Sequence, residues 1–276
     1  MIKIGEYNTL KILRDTSVGL YLGDNENNDV LLPNKYVPDA FEMGDEITVF
    51  CYLDNDERPI ATTLKPYIKL NDFALLKVAE VNKIGAFLDW GLEKHLFVPF
   101  REQAGKMEKG KKYLIYMFLD EKTGRLVGSS KTNQFINNDN LTVREKEEVS
   151  LIVSRYTELG IEVIINRQHK GLIYKNEVFQ KLSLGQHLKG YVNKIRSDNK
   201  IDISLQKTGY KNIEPSAQKL LEKLKNNDGF LALNDKSDPE AIKSELEMSK
   251  KNFKKALGNL YKQKLVLIKE EGIYLT

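Results

Sequence analysis

The sequence predicts a mainly β protein with a C-terminal α+β domain, in which three tandem five-stranded barrels precede a small unit of helices and short strands. Three observations carry this expectation. Glycines keep step three times along the chain: Gly19 with Gly44, Gly85 with Gly110 and Gly160 with Gly185, each pair twenty-five residues apart. Within each copy the hydrophobic period is mainly two, broken by Gly, Asn and Asp, the pattern of half-buried strands. After Pro215 the period changes to that of amphipathic helices.

Other anchors keep the same register. Fourteen residues after the first glycine of each pair the chain leaves an apolar run, at Pro33, Pro99 and Tyr174. Sixteen residues after the second glycine an aliphatic residue opens an apolar-polar alternation, at Ile60, Leu126 and Ile201. Such a unit is a small domain, larger than a solenoid repeat. In the middle copy the alternation predicts strands over 73–82, 85–89, 96–99, 112–119 and 125–129, with hairpin turns at EKTG before Arg125 and, in the third copy, SDNK before Ile201. Five strands in about sixty residues, with a longer connection after the third, are the pattern of an OB-fold barrel. The expected domains are 1–64, 65–139 and 140–208 for the barrels and 209–276 for the last unit.

In that last unit SAQKLLEKL spaces Ala217, Leu220, Leu221 and Leu224 as a helix, NNDG ends it, and FLAL follows as a short strand. Asp238-Pro239 supplies an N-cap and a first-turn proline for a second helix through Ile242 and Leu246. A third helix starts at Met248-Ser249, with Phe253, Ala256, Leu257, Leu260 and Tyr261 as its apolar stripe, and the strands LVLIK and GIYL flank the turn EEG. Helix, strand, helix, helix, strand, strand is the order of a winged helix, whose third helix commonly meets the nucleic acid. Lys251, Lys255 and Lys262 share one face of that helix, with Lys250 and Lys254 alongside; without arginine, the face suits phosphate better than base readout.

With 276 residues, 41% of them hydrophobic, several modest domains can form cores. No apolar run approaches the ~18 residues of a membrane span, and MIKIGEYNTL lacks signal-peptide features, so a cytoplasmic protein without membrane contact is expected. The lone Cys51 reads as a small strand residue. His95, His169 and His187 lack zinc spacing, no HExxH, GxSxG or Walker string is present, and Asp54 and Asp120 read as turn residues. No enzyme activity, cofactor or metal is expected. The net charge of +4 conceals a split: 1–64 carries −7, and the next three segments carry +4, +4 and +3. A polyanionic partner suits the later part, and a protein contact suits the acidic first barrel.

KIGAFLDWG followed by HLFVPF resembles the start of the ribosomal-protein S-one type of OB domain. The resemblance implies base stacking on Phe87 and, in the first copy, Tyr21. The third copy has Glu162 there, so that Tyr174 or Tyr191 would have to supply a ring for stacking, or Arg167, His169 and Lys170 would instead meet phosphates. In the middle copy Arg101, Arg125 and Lys131 would track the backbone beside Phe87, and Trp90 reads foremost as a packing plug. The last forty residues, above all MSKKNFKKALGNLYK and EEGIYLT, resemble the conserved virulence factor B family of bacterial RNA-binding proteins, which implies gene regulation without catalysis. The expected function is single-stranded RNA binding through the second and third barrels and the winged helix. Two alternatives stay open: a duplex-DNA regulator using the winged helix, and a ribosome- or polymerase-associated adaptor.

Overall fold

The computed structural model describes residues 1–24, 26, 28–178, 181–205 and 215–276, and the expected boundary at 208 lies outside them. Two compact units result, Met1–Ile203 and Ser204–Thr276. Among the described residues no helix is long and apolar enough to cross a membrane.

The first unit holds three closed barrels. Strands β1 (Tyr7–Thr16), β2 (Gly19–Gly23), β3 (Asp29–Pro33), β4 (Glu46–Leu53) and β5 (Pro59–Thr62) form the first, in the order β1-β2-β3-β5-β4. The second repeats that order with β6 (Phe73–Val81), β7 (Gly85–Asp89), β8 (Leu96–Pro99), β9 (Lys112–Asp120) and β10 (Arg125–Ser129). The third uses β11 (Glu148–Tyr156), β12 (Gly160–Ile165), β13 (His169–Tyr174), β14 (His187–Ile195) and β15 (Ile201–Ser204). In each, the third strand pairs in parallel with the fifth, the OB-type closure.

The glycine ladder has a steric origin. Gly19, Gly85 and Gly160 open the second strands opposite Pro33, Pro99 and Tyr174. A Cβ there would collide with the carbonyl oxygen of Leu32, Val98 or Ile173. Gly44, Gly110 and Gly185 are left-handed, with φ of 92°, 83° and 73°, a conformation glycine adopts without steric cost. Their N–H groups donate to the carbonyls of Ile12, Val78 and Val153 at 2.9, 2.8 and 2.8 Å. Those three residues each precede a bulge in the first strand of their barrel. The twenty-five-residue spacing thus runs from a close strand approach to the turn that pins the bulge. The last anchor shifts between copies. Leu31 pairs with Ile60, whereas its equivalents Phe97 and Leu172 pair with Val127 and Asp202, one residue beyond the sequence register. The first barrel's β4–β5 turn is one residue shorter than the second's, closing Leu53 on Pro59 where the second closes Leu119 on Leu126.

The barrels pack on one another. Trp90 is 2% exposed and meets Phe50 and Tyr52 of the first barrel edge-on, with ring centroids 5.8 and 6.1 Å apart. It is a packing plug, as its sequence context suggests, and Ile68 of the connector joins the same core. Between the second and third barrels, Phe73 and Leu114 share a cluster with Ile152 and Ile164, while connector Phe135 stacks on Tyr116 at 4.1 Å. Both connectors are therefore packed and hydrogen-bonded against the barrels they join.

In the second unit α1 (Pro215–Asn226), β16 (Phe230–Leu231), α2 (Pro239–Leu246), α3 (Lys250–Lys262), β17 (Val266–Ile268) and β18 (Ile273–Leu275) follow the expected order, with a β16-β18-β17 sheet. Asp238 caps α2 by accepting from the Glu240 N–H, and Ser249 caps α3 by accepting from the Asn252 N–H at 3.2 Å. The core joins Leu220, Leu221 and Leu224 of α1 to Phe253, Ala256, Leu257 and Leu260 of α3. Tyr261 leaves the expected stripe and is 55% exposed, because one further residue rotates it by about 100° from buried Leu260.

Candidate nucleic-acid interface

Beyond the bulge, the first three strands of each barrel present a row of facing residues on the outer surface. The rows are Arg14–Tyr21–Leu31, Glu80–Phe87–Phe97 and Arg155–Glu162–Leu172. Their central residues are the divergent position of the sequence repeat, and all three are half-buried.

In the first barrel the Arg14 guanidinium lies 4.1 Å from the Tyr21 ring centroid and pairs with Asp29 at 2.7 Å. The chain's own cation thus covers one face of this ring. In the second barrel Phe87 and Phe97 stand 5.1 Å apart with planes tilted by 35°. They line a cleft of about 250 Å³ with Ile84, His95 and Arg125. Phe97 escaped the sequence reading although Leu96 and Val98 on either side are buried, and strict alternation turns it outward. Arg125 is ion-paired to Glu57 of the first barrel, and Arg101 to Asp120 at 2.7 Å. Asp54 and Asp120 are turn residues in fact: their carboxylates accept backbone N–H bonds from Asp56 and Lys122. Lys131 lies elsewhere, at the junction with the third barrel.

The third barrel replaces the ring by an ion cluster. Glu162 takes Arg155 at 2.9 Å and Lys170 at 3.1 Å. Partial burial raises the Glu162 carboxyl, and hydrogen bonds from Arg155 and Lys170 outweigh that, holding it below the usual carboxylate range. A cleft of about 600 Å³ joins Lys170 and Tyr174 with Arg155, Arg196, Lys200 and Leu172. Arg196 lies 5.7 Å from the Tyr174 ring, hydrogen-bonds its hydroxyl and pairs with Asp202 at 3.1 Å. Arg155, Arg196 and Lys200 were absent from the sequence reading, for they stand far along the chain from the ring they surround. Tyr191 is on β14, where its hydroxyl donates to Glu148 at 2.9 Å, and it does not line this cleft. Arg167 pairs with Asp72 of the second barrel. His169, expected to meet phosphate, is 3% exposed: its Nε2 accepts from the Thr142 N–H at 3.2 Å, leaving Nδ1 to donate to the Asn137 carbonyl at 2.8 Å. It fastens the connector to the barrel.

On α3, Lys251, Lys254, Lys255 and Lys262 are exposed, whereas Lys250 is half-buried and reaches the Lys236 carbonyl at 3.5 Å.

Residues 218–275 match the family described as the CvfB-like winged helix domain, and residues 4–64 match the S1 domain. The chain is 28% identical over 267 residues to protein YitL of Bacillus subtilis, covering 94% of this chain and 89% of the relative. It is 27% identical over 245 residues to conserved virulence factor B of Staphylococcus epidermidis, covering 86% and 82% respectively. Among solved structures, a multidomain protein with nucleic acid binding domains from Streptococcus pneumoniae aligns over 99% of this chain and 98% of its own at 26% identity and a TM-score of 0.44. The S1 match falls on the first barrel, whose strand order the other two repeat. The chain thus matches an S1 domain at one end and a CvfB-like winged helix domain at the other, and it is similar over most of its length to relatives named conserved virulence factor B.

Proposed function

We propose that this protein binds single-stranded RNA without catalysis and regulates gene expression after transcription, in the bacterial cytoplasm. The observation that carries the reading is the Phe87–Phe97 pair, two half-buried rings side by side on the outer face of the middle barrel. Rings so placed offer π-faces to unpaired bases, and every base has one to return. The S1-domain match and relatives named for virulence support the same reading. Phe87→Ala and Phe97→Ala are each expected to weaken binding of a labelled single-stranded RNA by about 1–3 kcal/mol, read by fluorescence anisotropy. Unchanged affinity in both folded variants would remove the pair from the site.

The exposed lysines of α3 favour a second reading, duplex-DNA binding through phosphate contacts. Competition between the two polyanions separates the readings.

A further inference from the structure

The junctions on either side of the middle barrel differ in what their cations do. At the first junction they are engaged: Arg125 pairs with Glu57, Lys35 with Glu93, and the Lys94 ammonium donates to the Asp54 carbonyl at 2.6 Å. At the second junction a cleft of about 620 Å³ is lined from one side by Lys106, Lys112 and Lys131 and from the other by Arg155 and Glu162. None of these three lysines is ion-paired to a described residue, and Glu162 is the one acid among the described lining residues.

A second observation points the same way. Lys112 stands directly opposite Lys77 on the antiparallel pair β9–β6. The equivalent position of the first barrel holds Lys11 opposite Glu46, a complementary pair. Like charges facing across a ladder are destabilising, and because Lys77 also faces Asp89 on β7, Lys112 is the member of the pair that a bound polyanion would neutralise. Arg155 and Glu162 also line the ring-bearing cleft of the third barrel, so the two clefts meet at this ion pair.

We infer that the junction cleft binds the phosphate backbone of single-stranded RNA as it passes from the second barrel to the third, with Glu162 as an internal competitor that holds Arg155 and Lys170 until phosphate displaces it. This rests on the single-stranded RNA reading above. Glu162, held by Arg155 at 2.9 Å and Lys170 at 3.1 Å, occupies the position a phosphate would take between them.

The test compares the full chain with a Lys106→Ala/Lys112→Ala/Lys131→Ala variant and with Glu162→Gln, titrating a labelled oligonucleotide RNA at several salt concentrations. Each lost phosphate contact lowers the slope of log affinity against log salt by about 0.7, so the lysine variant is expected to lose about 2 from that slope. Glu162→Gln removes the competitor for Arg155 and Lys170, so tighter binding is expected at an unchanged slope, because the same phosphates are engaged in both complexes. An unchanged slope in the lysine variant, or weaker binding by Glu162→Gln, overturns the assignment, and where Phe87→Ala still weakens binding the RNA reading survives it. Failure of the unsubstituted protein to bind single-stranded RNA at any salt overturns both. Circular dichroism melting shows that the variants remain folded; the lysine variant is expected to melt no lower than the parent, because it removes a like-charge pair.

Discussion

Cys51 lies fully buried in the first barrel, and burial pushes its thiol up to about 12. Because the folded value lies above the unfolded one, the stability it contributes is fully present below about pH 9 and is lost as pH rises toward 12. The folded protein at pH 8 is expected to resist iodoacetamide, with labelling only in denaturant; rapid alkylation of the native chain would contradict the assigned burial. Residues of this kind were legible because a lone cysteine in an alternating strand has few other places to go. Tyr21, Phe87 and Glu162 were legible as a divergent position in a repeat, but their surroundings were not. Arg14 over Tyr21 and Arg155 on Glu162 come from first strands whose register depends on a bulge, and Lys170 reaches Glu162 from the third strand. Arg167 and His169 look like free cation and ring in the sequence, yet one is spent on Asp72 and the other on a connector.

At the scale of elements, the middle barrel's strands were readable to within a residue, because alternation and turn residues agree in every copy. The Asp238 cap was equally plain, since a short polar side chain before Pro239 and an amphipathic run marks a helix start, while Ser249 was legible only as the place where the third helix begins. The left-handed glycines explain why the repeat kept its spacing while its charges drifted. Within the winged helix, α3 exposes Lys251 and Lys254 beyond its buried face. If α3 contributes to RNA binding, Lys251→Ala/Lys254→Ala will flatten the salt slope by about 1 with little effect on which RNA is preferred. An unchanged slope would take α3 out of the interface.

For the whole molecule, the barrel junctions were the part that the sequence concealed. They depend on pairs such as Arg167 with Asp72 and Trp90 with Phe50, far apart along the chain, and nothing periodic announces them. Their consequence is practical: removing residues 1–64 to ask whether the acidic barrel binds RNA would strip Trp90 and Ile68 of the Phe50 and Tyr52 packing that covers them. Substitution on the intact chain is the sounder route. The division of charge, −7 in the first barrel and positive beyond it, fits a protein that presents later barrels to a polyanion while the first supports them. The direct measurement of strand preference is a competition titration of the full chain between labelled single-stranded RNA and duplex DNA of equal length across salt. RNA is expected to win at every salt concentration, with a slope of about −0.7 for each phosphate engaged. Tighter binding of the duplex, or no binding of either, would contradict it.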